Sequence, residues 1–102
     1  MHHTLFLESL EGVIYTKLRY VFETLELDDT FIAVPVGDEA NEFDNVIRLN
    51  ETAAYIFKLL QEETTEAQII DSLSDEYDVP IEVAKHDVHM YLKDFKKRGV
   101  II

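Results

Sequence analysis

The side chains with the most chemistry in them lie together near the C-terminal end. His86 and His89 stand three apart, a spacing that suits two ligands on one helix, and Asp87 and Asp94 could add oxygen donors. The surrounding pattern argues against a metal centre. Ala84, Val88, Tyr91, Leu92 and Phe95 form an apolar helical stripe, and His86 projects away from it. The two imidazoles therefore read first as solvated groups, with contact to something bound as the other non-metal reading. Nothing else completes a catalytic set. The chain has no cysteine, which removes thiolate nucleophiles, disulfides and thiolate-ligated metals at once. It also has no Gly-rich phosphate loop. The expectation is a protein with no enzymatic activity, no cofactor and no metal.

Charge narrows the partners. Across 102 residues, 21 acidic and nine basic side chains give a formal net charge of −12, which repels phosphate backbones and anionic lipid. Neither nucleic acid nor a membrane surface is expected as a partner. The acids concentrate over residues 61 to 82, which hold eight of them and no Lys or Arg. Residues 85 to 98 reverse this, with Lys85, Lys93, Lys96, Lys97 and Arg98 against Asp87 and Asp94. His2 and His3 read as terminal residues without a bound metal. No basic-then-apolar signal segment opens the sequence and no apolar run reaches bilayer length, so a cytoplasmic location is expected, in keeping with the missing cysteine.

The elements that must position these groups are legible from about residue 20 onward. Tyr20 to Leu27 and Thr30 to Val36 are rich in β-branched and aromatic residues and flank the turn-forming pair Asp28-Asp29, which predicts a hairpin. Alternation puts Leu25 and Leu27 on one face, and Ile32, Val34 and Val36 on one face, as the expected core-covering side. Gly37 to Asn45 reads as an acidic loop whose Phe43 tucks back onto the sheet, and Val46 to Leu49 as a third strand. Asn50 should cap a helix over about 51–62 with Ala53, Ile56, Phe57 and Leu60 inward. Thr65 to Gln68 has capping-box spacing, and opens a second helix that buries Ile69, Ile70, Leu73 and Tyr77 until Asp78-Val79-Pro80 ends it. A third helix spans about 81–98, with cations in its last turn and Gly99 as its stop. Three antiparallel strands followed by three helices describe an α+β, winged helix-turn-helix-like domain over 20–102, preceded by an arm over 1–19 of uncertain structure.

Those elements carry particular residues: Val34-Pro35-Val36-Gly37, then Leu49-Asn50-Glu51-Thr52-Ala53 at a strand-to-helix junction, then Asp87-Val88 ahead of Tyr91-Leu92, and a terminal Gly99-Val100-Ile101. Together they resemble the PqqD-like proteins over roughly residues 20 to 102. The resemblance implies a non-catalytic domain that binds the leader of a ribosomally made precursor peptide and presents it to a modifying enzyme, commonly a radical S-adenosylmethionine maturase. It also implies that the leader adds as an antiparallel strand beside the third strand, in a groove closed by the third helix. On this chain those positions are Val46, Ile47, Arg48 and Leu49, with the 84–97 helix opposite. Asp87 matches the family's recurring acid, and either bonds a group near the groove or sits on the outer surface.

Helical geometry singles out Lys85, His89, Leu92 and Lys96 as the border of the apolar stripe, and thus as groove contacts. Three of these are basic or titratable, so acidic leader residues are the expected match. A winged-helix DNA-binding regulator has the same element order and stands as the alternative, at odds with an acidic second helix. The resemblance leaves homodimerisation open, since the first nineteen residues have no counterpart in it.

Overall fold

In the computed structural model, residues 14–37 and 46–102 are described; the expectations for residues 1–13, for the 38–45 loop and for Phe43 lie outside them. Asp28 takes the left-handed conformation at φ 56°, which a short polar side chain tolerates, and with Asp29 it turns the chain between β2 (Phe22–Leu27) and β3 (Thr30–Pro35). Leu27 pairs with Thr30 and Phe22 with Pro35, fixing the register of the hairpin. β4 (Ile47–Leu49) then pairs antiparallel with β3, Phe31 opposite Leu49 and Ala33 opposite Ile47, for a sheet order β2-β3-β4.

The face of the sheet that meets the core is the opposite of the expected one. Phe22, Ala33, Ile47 and Leu49 are buried, whereas Leu25 and Leu27 are 52% and 53% exposed. Directly opposed residues share a face, so Ala33 and Ile47 lie on one side with Phe31 and Leu49, and Leu25 and Ile32 on the other. Packing decides the side. Phe22 meets Phe57 edge to face at 5.1 Å, and the small Ala33 lets the first helix lie against the sheet.

α1 (Glu51–Leu59) begins at Asn50, whose Oδ1 accepts from the Ala53 backbone N–H at 2.8 Å. α2 (Glu66–Tyr77) opens on a full capping box between Thr65 and Gln68, and ends with Asp78 in the left-handed region. α3 (Ile81–Lys97) stops at Gly99, φ 77°, where Gly99 N–H donates to Lys96 and Val100 N–H to Phe95, the paired bonds of a Schellman turn. The core forms around Ile56, Phe57, Leu60, Leu73, Val88, Leu92 and Phe95, with Val100 and Ile101 added from the tail.

A second antiparallel sheet, which no sequence pattern announces, joins β1 (Tyr15–Thr16) to β5 (Thr64–Thr65) and builds residues 15 and 16 into the domain. Leu18 bridges to Ile101 and is itself buried. The architecture is α+β, with antiparallel sheets and three helices among the described residues.

Candidate functional site

β4 is bonded to β3 along one edge only; among the described residues no strand occupies the other. Such an edge offers unpaired backbone N–H and C=O groups at fixed spacing. Ile47 and Leu49 point into the core, which holds the strand flat, while Val46 and Arg48 are exposed. Just past the strand, Asn50 uses both ends of its amide: Oδ1 caps α1, and Nδ2 donates to the Tyr91 hydroxyl of α3 at 2.9 Å. One residue thus closes the strand, starts a helix and ties a second helix to the junction.

That tie shows which side of α3 faces the strand. At about 100° per residue, Asp87, Asp94 and Arg98 share the flank of Tyr91, and Lys85, His89, Leu92 and Lys96 share the opposite flank. The second flank turns to α2. His89 Nδ1 lies 3.3 Å from Glu66 Oε2, and Lys85, His86 and His89 line a shallow cleft of about 410 Å³ with Glu66 and Glu82. Leu92 is buried within the core cluster. Of the residues singled out from the sequence, Ile47, Leu49 and Leu92 are buried in the core, Val46 and Arg48 are exposed, and Asp87 is half-buried on the flank of Tyr91, whereas Lys85 and His89 line the cleft with Glu66 and Lys96 is exposed on their flank. Spacing alone places Tyr91 on the core stripe. It is half-buried and packs on Phe95, but its hydroxyl serves the junction, a partnership 41 residues apart that local pattern could not disclose.

The chemistry offered here is hydrogen bonding and apolar contact. Asp87 is half-buried, and its carboxylate has no ion-pair or hydrogen-bond partner among the described residues; Asp94 is engaged by Arg98 at 3.6 Å. No group of three or more metal-ligating side chains gathers among the described residues, His86 and His89 included. Elsewhere, Tyr77 sits at an open cleft of about 440 Å³ with Phe31, Tyr55 and Glu51. Burial pushes its hydroxyl pKa above the ordinary value, and Glu51 adds to the shift through its charge and a hydrogen bond.

A short, core-anchored strand with an edge open among the described residues can accept a further strand. The sequence pattern of the family described as Coenzyme PQQ synthesis protein D (PqqD) matches residues 27–101, and the chain belongs to that family. Among solved structures it resembles TbiB1 in complex with the TbiA(beta) leader peptide, with a TM-score of 0.65 and 18% sequence identity, over 83% of this chain and 93% of that one. None of the curated proteins matches the chain.

Proposed function

We propose that this protein binds the leader segment of a ribosomally synthesised precursor peptide and holds it for a modifying enzyme, the leader adding as a strand along the free edge of β4 beside the Asp87 and Tyr91 flank of α3. The observation that carries this reading is a core-anchored β4 whose outer edge no strand occupies among the described residues, tied to α3 through Asn50 and Tyr91, in a chain of the PqqD family. TbiB1, of similar fold, is itself bound to a leader peptide. Backbone pairing supplies sequence-tolerant affinity, and the helix flank supplies choice among side chains. Ordering a disordered leader costs about 2–5 kcal/mol, which makes micromolar or somewhat tighter binding the natural range.

The domain does no chemistry of its own in this reading and needs no cofactor; the partner enzyme, of the radical S-adenosylmethionine type, does the chemistry. The hairpin β2–β3 with α2 and α3 supports reading the domain as a winged helix-turn-helix turned to peptide recognition. Neither comparison favours DNA binding, and the acids of α2 oppose it.

Calorimetry of the full chain with a synthetic leader, taken from a short open reading frame beside the gene, tests the proposal. Saturable one-to-one binding is expected, with no change in the mass of the peptide after prolonged incubation. Absence of binding, or a covalent change made by the isolated protein, would contradict it.

A further inference from the structure

The flank of α3 that meets β4 differs in character from the flank turned to α2. Alongside Tyr91 it carries Asp87 and Asp94, one turn to either side, and the partly exposed apolar side chains of Val83 and Met90 border it. Both nearby arginines are engaged or placed elsewhere. Arg98 is held by Asp94, and Arg48 lies on the face of the sheet opposite Ile47 and Leu49. His89 meets Glu66 of α2, and Lys85 lines the same cleft with Glu66 and with Glu82 of its own helix. What remains on the groove side is an apolar border with one half-buried carboxylate, Asp87, that has no partner among the described residues. A carboxylate partly withdrawn from water gains most from a charged donor brought to it.

We infer that the peptide selected by this groove is a strand with apolar residues at alternate positions and a lysine or arginine placed to reach Asp87, in place of the acidic segment that the sequence alone suggests. The inference rests on the edge-strand reading above and adds the chemical class of the ligand. The field of the whole molecule acts in the same sense: a formal charge of −12 draws cationic peptides in and turns acidic ones away.

The probe is a phage-displayed library of random short peptides selected on the full-length chain. Selected peptides are expected to combine alternating apolar residues with a Lys or Arg at a fixed position, and the tightest of them should shift the backbone amides of residues 46–49. For that peptide, Asp87→Asn should weaken binding roughly tenfold, the size expected for losing a hydrogen bond between charged groups. The same substitution should change affinity by less than about twofold once the peptide's cation is replaced by glutamine, because the pairwise term is then already gone. General attraction to an acidic protein would not produce that difference.

Peptides that shift the 46–49 amides but are acidic, or are indifferent to Asp87→Asn, would overturn the assigned chemistry and leave the edge-strand reading standing. Peptides that depend on Asp87 yet leave those amides unmoved would overturn the edge-strand reading and this inference together, as would a selection that yields no binder.

Discussion

Asn50 shows how far a single residue could be read in advance. Its capping role is local, an acceptor for a backbone N–H three residues ahead, and Asn before an apolar helix predicts it. Its second bond, to Tyr91, depends on the tertiary fold. Asn50→Ala loses both and should cost about 1–2 kcal/mol in chemical denaturation, more than Tyr91→Phe, which spares the cap. Phe57 was equally legible because helical period alone put it inward. It is 1% exposed and meets Phe22 and Phe95 edge to face. Phe57→Ala should cost about 3–5 kcal/mol, most of the stability of so small a domain, while exposed Lys58→Ala stays within about 0.5 kcal/mol. Equal denaturation midpoints for these two would mean that the face of α1 is wrongly assigned. Tyr77 predicts an alkaline limit. Its folded pKa is raised, so its contribution is fully present below the ordinary tyrosine value of about 10 and is lost as pH rises through the raised one. Tyr77→Phe should flatten that loss when denaturation midpoints are followed through the alkaline range.

Elements were easier to find than to orient. All three helices sit within a few residues of the expected bounds, because each has an apolar stripe, the first two have a side-chain cap, and the last two end at a turn or glycine stop. The hairpin was clear as well. Its core side was not, since both faces carry apolar residues and period-two alternation holds for either; Phe22 and Ala33 face inward and Leu25 and Leu27 outward. The same ambiguity affects α3: periodicity gives the buried stripe and its two borders, and only the Tyr91 tie tells which border meets β4. β1 and β5, two residues each, are too short to leave a pattern. For the β4 edge, Val46→Pro is a gentler probe than any change at buried Ile47. It stiffens an exposed position and removes a backbone donor beside the strand. Leader affinity should fall roughly tenfold with a nearly unchanged melting temperature. Unchanged affinity would place the peptide elsewhere.

At the scale of the whole molecule, charge was fully legible and its distribution only partly. The excess of acids tells against polyanions, and a gel shift with nonspecific duplex should show no retardation even at low salt. The concentration of Lys and Arg in residues 85–98 suggested a cationic groove, yet Lys85 lines a cleft with Glu66 of α2, and Asp87 shares the flank of Tyr91. Family membership and fold support the proposed recognition role, which depends on a strand adding at β4. An amide chemical-shift map of the full chain, recorded while the leader encoded beside the gene is titrated in, tests it most directly. The largest shifts should fall on residues 46–50 and on Asp87, Tyr91 and Asp94 of α3. Shifts gathered on α2 between Glu66 and Tyr77, or on the outer face of β2, with residues 46–49 unmoved, would contradict it.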